Sequence, residues 1–448
     1  MLVGTEQGFD VQALVVVSAC LAVWGLVSSR LQRLNVSAPI AFVLMGLAMT
    51  HGPWPLVTVG LKSSTLRSVA EIALALVLFA DASRVNVRAL RSDAGLPSRL
   101  LGIGLPLTIG VGAIAAAVIF PGVGWWTAAL LGAIVAPTDA ALGATIMTDL
   151  RIPSGIRRLL NVESGLNDGI ATPFVNFFLA AAVATEAVHG GGLTRPLVEL
   201  LGGTAIGIAV GLIGGYAVRS SLRARWSDVP ISSLTVLALA LLAYSAAIMA
   251  GVNGFVAAFV AGMSFGTVTH GLDEVKAFTE DAGTLMSWLV WFAFGAIMIV
   301  PGFEVATWGE VLFALLALTV VRMGPVAVSL LGSGLRPTTV GFIGWFGPRG
   351  LATVVFGLLS IDELATPESN VVLGVVTVTV TLSVLAHGIS ANPLASRLGP
   401  RMSGTSPERP EHTTAPALRT RSLPGRGLGR ATTPRSTAHE ESERDASS

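Results

Sequence analysis

The stretch VESGLNDGIATPF, residues 162–174, concentrates polar side chains inside a long apolar run. Side chains four positions apart share one face of a helix, so Ser164, Asp168 and Thr172 form a stripe of oxygen atoms. Glu163 and Asn167 form the neighbouring stripe. Carboxylate, hydroxyl and amide oxygens are hard ligands, which suit alkali cations and protons rather than zinc or copper. This helix face therefore predicts a site for a small cation or a proton.

The composition around this stretch is that of a membrane protein. Of the 448 residues, 52% are apolar and 12% are charged, whereas about 25% of residues are charged in an average soluble domain. This excludes a soluble globular protein. The formal net charge of +1 is spread between apolar runs and provides no basic face for nucleic acid. The single cysteine, Cys20, excludes a disulfide framework and a thiolate metal site.

Interruptions by Pro, Gly and charged clusters divide the apolar sequence into thirteen segments, each predicted to be a membrane-spanning helix. Their approximate boundaries are 11–29, 38–51, 66–82, 97–120, 124–149, 158–188, 196–219, 230–250, 252–268, 277–300, 308–333, 338–360 and 369–393. The fold class is thus an all-α polytopic membrane protein.

The loop charges predict the orientation of these segments. Fourteen Lys and Arg residues fall in the loops of one side, and three, Lys62, Arg67 and Arg195, fall in those of the other. Because Lys and Arg accumulate in cytoplasmic loops, we expect a multi-pass protein of the cell membrane with its N-terminus outside. The N-terminal residues lack the basic segment of a signal peptide and are expected to be retained.

Two domains follow from this count: a transmembrane domain, residues 1–393, and a tail, residues 394–448. From residue 397 onward the tail carries nine arginines and six acidic residues among many Pro, Ser and Thr residues. Such a composition cannot bury a core, so the tail is predicted to be disordered and cytoplasmic. A solvated terminus is the simpler interpretation, and contact of its arginines with lipid headgroups or a regulatory role is the alternative.

The fifth segment contains APTDAALGAT, residues 136–145. Pro137 removes a backbone donor and disfavours helix before it, so the helix is predicted to break near its middle. Broken helices leave carbonyl groups free to coordinate a cation, and the Thr138 hydroxyl can join them. Asp139 would then begin the second half-helix, where a carboxylate complements the positive end of the helix dipole. A proline kink with a satisfied Asp139 is the structural alternative.

The twelfth segment contains GWFGPRGLAT, residues 344–353, which interrupts a second helix with Gly347, Pro348 and Gly350. Because the fifth and twelfth segments are seven apart, they cross the membrane in opposite directions. This predicts inverted six-helix repeats, residues 11–188 and 230–393, joined by a linker helix at 196–219. Arg349 is expected to neutralise the C-terminal ends of the facing helices.

Charged side chains deep in a membrane cost at least about 2.5 kcal/mol each, so each requires a partner or a function. Six lie well inside the predicted helices and sum to an excess of two negative charges: Glu71, Asp139, Glu163, Asp168, Arg322 and Arg349. This excess favours a bound cation or held protons over mutual satisfaction of polar groups between helices. Glu163 is the candidate partner of Arg322. Glu71 either lines the ion route or ties helices together.

As a set, these motifs resemble the cation:proton antiporters of the Na⁺/H⁺ exchanger type, in the branch whose ion-site helix carries an Asn-Asp pair. The resemblance covers residues 11–393. It is carried by Glu71, Thr138-Asp139, Glu163-Ser164, Asn167-Asp168-Gly169, Arg322 and Arg349-Gly350. One departure is Ala140, which stands where the family often has Pro, so the break in the fifth helix relies on Pro137.

The resemblance implies a homodimer of thirteen-helix subunits, each with a dimerisation bundle and a six-helix core in which the fifth and twelfth helices cross. It implies that Asp168 binds the cation and the proton in turn, with Ser164, Thr138, Asp139 and Glu71 completing a Na⁺ shell. Glu163 and Arg322 would form a structural ion pair that Asn167 helps to hold. The implied protein is a transporter in the lipid bilayer, not an enzyme, and it needs no cofactor.

The expected activity is exchange of a monovalent cation, in the first place Na⁺, for H⁺ by alternating access. Because Asn167 stands where Asp-Asp relatives have a second acid, we expect electroneutral one-for-one exchange. K⁺/H⁺ exchange and a passive cation channel of the same fold are the alternatives. A receptor and a sugar or drug carrier are less favoured, because the tail is short and the carboxylates lie mid-helix.

Overall fold

The computed structural model describes residues 11–33, 36–53, 55–56, 64–84, 95–186, 194–403 and 410–412. Within these ranges every regular element is a helix. The first half of the chain forms α1 (Val11–Arg33), α2 (Ala38–His51), α3 (Ser64–Arg84), α4 (Gly95–Ile119), α5a (Trp125–Ile134), α5b (Ala140–Met147) and α6 (Ser154–Glu186). The predicted break in the fifth helix is therefore present between α5a and α5b.

The second half repeats this pattern. It forms α7 (Thr194–Arg223), α8 (Val229–Met249), α9 (Gly254–Val268), α10 (Asp273–Val305), α11 (Trp308–Ser329), α12a (Pro337–Trp345), α12b (Leu351–Glu363) and α13 (Glu368–Ser403). A short 3₁₀ turn, Pro410–His412, follows. The twelfth helix is interrupted as predicted, so the two broken helices occupy corresponding positions in the two halves.

Eight of these segments are long and apolar enough to cross a membrane, namely α1, α4, α6, α7, α8, α10, α11 and α13. The shorter apolar helices include α2, α5a and α9. The described helices thus coincide with the predicted segments, and thirteen as the number of membrane crossings stays a prediction.

The last helix differs from its predicted length. α13 continues to Ser403, so residues 394–403 are helical although the sequence placed them in a disordered tail. The reason is packing: Ala395 is buried, and Leu394 and Leu398 lie against a cluster that includes Ile152 and Ile156. A four-residue spacing of leucines gives this extension an apolar face. Apart from the 3₁₀ turn, the predicted tail beyond this helix lies outside the described residues.

The helices pack as two groups. The core group contains α4, α5, α6, α11, α12 and α13, and the flanking group contains α1, α2, α3, α7, α8, α9 and α10. The groups meet where α6 contacts α3, α7 and α9, where α12b contacts α3 and α10, and most extensively where the C-terminal part of α10 contacts α13. This agrees with the expected six-helix core around the two broken helices.

Close packing inside the flanking group depends on small residues. Gly262 and Gly266 on α9 lie against the backbone carbonyls of Phe79 and Ser83 on α3, so a side chain at either glycine would overlap them. Small residues at four-residue spacing let membrane helices approach each other closely. The flanking group is therefore a tightly packed support for the core group.

Candidate ion-binding site

The site is built on the unwound segment of the fifth helix, residues 135–139. Asp139 is the N-cap of α5b, and its Oδ1 accepts hydrogen bonds from the amides of Ala141 at 2.6 Å and Leu142 at 3.2 Å. A carboxylate here satisfies amides that the helix leaves unpaired and opposes the positive dipole end. The structure thus places Asp139 where the sequence predicted it.

The unwound segment of the twelfth helix, residues 346–350, crosses directly beside it. The Asp139 amide donates to the Pro348 carbonyl at 2.7 Å, and the Leu351 amide donates to Asp139 Oδ2 at 2.8 Å. Asp139 therefore caps α5b and α12b together. Gly350 allows this approach, because a Cβ atom at its position would overlap the Asp139 carboxylate.

Arg349 is fully buried and faces the opposite helix ends. Its Nη1 donates to the carbonyls of Ala136 at 2.5 Å and Pro137 at 3.0 Å, and its Nη2 donates to the Ala317 carbonyl at 3.3 Å. The Thr353 hydroxyl donates to the Ile134 carbonyl at 2.9 Å. A positive charge thus opposes the negative end of α5a, which is the position that the sequence predicted for Arg349.

Three polar side chains join α6 to the break in the fifth helix. Thr138 Oγ1 lies 3.0 Å from Ser164 Oγ, and Asn167 Nδ2 donates to Thr138 Oγ1 at 2.5 Å. All three side chains are buried. Within the described residues, Asn167 Oδ1 has no hydrogen-bond partner. The predicted oxygen ligands Thr138 and Ser164 are therefore in contact, and Asn167 binds the Thr138 hydroxyl.

Asp168 follows Asn167 on α6 and is 8% exposed. Its neighbour Gly169 lies against the Phe259 ring of α9, which fills the space that a side chain would need. Asp168 thus lies where the core and flanking groups meet. One turn earlier, Gly165 faces Asp81 of α3, whose Cβ is 4.0 Å from where a Cβ would stand. On the Gly169 side of Asp168, the space is thus filled by an aromatic ring.

Glu163 and Arg322 form the expected pair. Arg322 Nη1 lies 2.5 Å from Glu163 Oε1, and both side chains are less than 5% exposed. In a water-free interior, removal of either partner of such an ion pair destabilises the protein, because it leaves the other charge uncompensated. The pair joins α11 to α6, and the Arg322 guanidinium lies beside Gly347 in the break of α12.

Glu71 lies in a different cluster. Its Oε1 accepts from Arg67 Nε at 2.9 Å, and its Oε2 accepts from the Tyr244 hydroxyl at 2.8 Å. The described contacts of Glu71 do not include Asp168 or Thr138. Both oxygens of Glu71 are thus bonded to neighbours on α3 and α8, as a residue that ties helices together would be, and a place for Glu71 in the cation shell stays a prediction.

The sequence missed two residues of α13. Ser383 Oγ accepts from the Arg349 amide at 2.7 Å. The two ring nitrogens of His387 lie 2.8 Å from the carbonyl oxygens of Ser383 and Trp345. Together they hold both sides of the α12 break. Their polar character inside the last apolar run was the available signal, but only the packing of α13 against α12 shows what they contact.

The charges of the site define its chemistry. Around the two helix breaks, the buried charged groups are three carboxylates, Asp139, Glu163 and Asp168, and two guanidinium groups, Arg322 and Arg349. With all five groups ionised, these side chains sum to one negative charge. One proton or one monovalent cation neutralises it. Within the described residues no three His, Cys, Asp or Glu side chains converge as a multivalent metal site would require.

Comparison with known proteins identifies relatives of this fold. The family model described as "Sodium/hydrogen exchanger, transmembrane" matches residues 16–397. The K⁺/H⁺ antiporter NhaP2 of Shewanella baltica is 24% identical over 384 residues, which cover 82% of this chain and 64% of that protein. Na⁺/H⁺ antiporter 2 of Zygosaccharomyces rouxii is 26% identical over 276 residues, 56% of this chain and 33% of that one. This chain thus spans less than two thirds of the length of either relative.

A solved structure shares the architecture. The sodium proton antiporter MjNhaP1 of Methanocaldococcus jannaschii superimposes with a TM-score of 0.70 at 19% sequence identity. The match covers 87% of this chain and 99% of that one. The helical fold is therefore shared over most of this chain.

Proposed function

The chain belongs to the sodium/hydrogen exchanger family, and from that premise we propose that it exchanges a monovalent alkali cation for H⁺ across a membrane. Asp168 is the exchanging group in this proposal. It binds the cation as a carboxylate and releases it on protonation, so the two substrates compete for one negative charge. One-for-one exchange without net charge movement follows from this competition.

The observation that supports the proposal is the excess of one carboxylate over guanidinium groups in the buried cluster. Arg349 is held by backbone carbonyls, and Arg322 is held by Glu163. An excess negative charge inside a membrane is unfavourable, and a bound cation or proton removes that penalty. The loaded states are therefore the ones in which the core group can move and expose the site to the other side of the membrane.

The proposed cation shell combines Asp168 with the hydroxyl oxygens of Thr138 and Ser164. These hydroxyls lie 3.0 Å apart, and Asn167 holds the Thr138 hydroxyl by a hydrogen bond. Asp139 contributes through its charge rather than as a direct ligand, because its oxygens accept three backbone amides. Hydroxyl and carboxylate oxygens suit Na⁺, which is the first candidate substrate.

K⁺ is the second candidate, because the relative from Shewanella baltica is a K⁺/H⁺ antiporter. The same oxygen ligands accept either ion, and ion choice depends on the size of the shell. We further propose that the protein is a homodimer in the cell membrane, with its N-terminus outside and its tail in the cytoplasm. It acts as a transporter and has no enzymatic role.

Proteoliposomes with an acidic interior and an enclosed pH dye test the proposal. External Na⁺, Li⁺, K⁺ or choline is added to wild type, to Asp168→Asn and to Glu199→Gln, a matched control whose carboxylate pairs with Arg195 on the surface of α7. Alkalinisation by an alkali cation but not by choline, in wild type and the control but not in Asp168→Asn, is expected. Wild-type vesicles that stay acidic with every cation from pH 6 to 9 would overturn the proposal.

A further inference from the structure

A second ionic cluster lies at one end of the bundle, centred on Arg67 of α3. Its Nε donates to Glu71 Oε1 at 2.9 Å, its Nη1 lies 3.5 Å from Asp362 Oδ2, and its Nη2 lies 3.2 Å from Glu363 Oε1. Tyr244 of α8 donates to the other oxygen of Glu71. One guanidinium group therefore contacts three carboxylates at once.

These contacts cross the boundary between the two helix groups. Arg67, Glu71 and Tyr244 belong to the flanking group, whereas Asp362 and Glu363 end α12b of the core group. Glu71 and Tyr244 hold Arg67 in place on its own side. The two longer contacts of Arg67, to Asp362 and Glu363, are those that join one group to the other.

α12b connects this cluster rigidly to the ion-binding site. The helix begins at Leu351, whose amide is bonded to Asp139, and ends at Glu363, twelve residues later. At 1.5 Å per residue the two ends are about 18 Å apart. Any displacement of the site against the flanking group therefore carries Asp362 and Glu363 away from Arg67.

The space between the cluster and the site is apolar. A cavity between α3, α10 and α12b is lined by side chains such as Ala70, Phe294, Val354 and Leu358. The side chains that line this cavity carry no oxygen atom that could bind an ion, so the cavity separates the site from this end of the bundle. The ionic cluster covers the cavity on the solvent side, where the Arg67 side chain is 36% exposed and the Asp362 side chain is 16% exposed.

We propose that Arg67 with Asp362 and Glu363 is a latch that holds the core group in the state closed toward the external face. The external assignment follows the orientation predicted from the loop charges. This inference rests on the proposed function, since a latch of this kind matters only if the core group moves. The latch must open in every transport cycle and reform when the core returns.

The ion pair near the other end of α3 provides a contrast. Arg84 pairs with Glu280, and both belong to the flanking group, on α3 and α10. A covalent link at this pair therefore does not restrain the core group. It gives a control that matches the latch in residue types and lies on the same helix.

Cross-linking tests the latch directly. In a Cys20→Ser background, Arg67→Cys/Glu363→Cys and Arg84→Cys/Glu280→Cys are each treated with a short bifunctional methanethiosulfonate that a reducing agent removes. Cross-linked Arg67→Cys/Glu363→Cys is expected to lose cation-driven proton flux and to regain it on reduction, while the control pair keeps its flux. Full flux through cross-linked Arg67→Cys/Glu363→Cys would overturn the latch.

Labelling provides a measurement that does not depend on transport. Val354→Cys in the Cys20→Ser background is exposed to a membrane-impermeant maleimide from the external side. Since partly exposed ion pairs shift equilibria modestly, Arg67→Gln is expected to speed this labelling about 5-fold, and Arg84→Gln is expected to leave it unchanged. Equal rates with and without Arg67 would refute the latch, whereas faster labelling in a protein without ion exchange would refute only the proposed function.

Discussion

Asp139 Oδ2 accepts the amide of Leu351 at 2.8 Å, so a carboxylate from the first repeat caps a half-helix of the second. Its other oxygen caps the half-helix that follows it in its own repeat. One side chain therefore compensates two helix dipoles at the crossing. Arg349 of the second repeat places a positive charge at the negative C-terminal end of α5a in the first repeat. Each broken helix is therefore stabilised by a charged side chain from the other.

Asp139→Asn is expected to destabilise the protein by about 1–3 kcal/mol, because the amide NH₂ group would face either the Leu351 amide or those of α5b. Thermal unfolding in detergent measures this loss. Asp228→Asn is the control: Asp228 Oδ1 caps α8 through the Ile231 amide alone, and an asparagine keeps that bond. Equal melting temperatures of the two variants would contradict the double capping role.

Glu163→Gln is expected to cost about 3–5 kcal/mol, because it leaves the buried Arg322 guanidinium without a compensating charge. Arg322→Met with Glu163→Gln removes both charges and is expected to be more stable than Glu163→Gln alone. A double-mutant cycle of unfolding free energies gives the coupling between the two residues. Additive losses would show that the 2.5 Å contact has no energetic role.

Ser164→Ala is expected to raise the KM for the transported cation about 10-fold, a change of about 1.4 kcal/mol, with a smaller effect on the maximal rate. The reason is loss of one hydroxyl ligand beside Thr138. Thr172→Ala is the control on the same stripe, because the Thr172 hydroxyl donates to the Asp168 carbonyl within the helix. Proton flux measured over a range of cation concentrations separates the two variants, and an unchanged KM for Ser164→Ala would remove this residue from the proposed shell.

Features encoded by local chemistry were predictable from the sequence. Pro137, and Pro348 between Gly347 and Gly350, disfavour helix where they stand, so both unwound segments were expected and are present. Proline alone does not decide this, because Pro173 lies within the continuous helix α6. Arg322 required a buried acid, and Glu163 was the predicted partner. The interactions of Asp139 and Arg349 with the helix dipoles also followed from the sequence, because each residue stands next to a predicted helix break.

Features that depend on packing between distant segments were not predictable. Glu71 was expected in the cation shell, but its contacts with Arg67 and Tyr244 arise because α3 and α8 are neighbours, which no local pattern encodes. The same holds for His387 and Ser383, whose partners lie on a different helix. The C-terminal extension of α13 was not predicted, because the segment after residue 393 is mostly polar and its two leucines, Leu394 and Leu398, gave too weak a helical pattern.

Gly169→Ala tests the contact between the two helix groups beside Asp168. The new methyl group would overlap the Phe259 ring, so we expect destabilisation of about 1–3 kcal/mol together with reduced ion flux. Gly165→Ala is the matched control one turn earlier, because its nearest neighbour is the Asp81 Cβ at 4.0 Å, an ordinary contact distance. Phe259→Ala in the Gly169→Ala background removes all of the overlapping ring atoms and is expected to restore ion flux. Failure of Phe259→Ala to restore flux, or an equal loss in Gly165→Ala, would place the requirement for glycine in the helix itself rather than in the contact with α9.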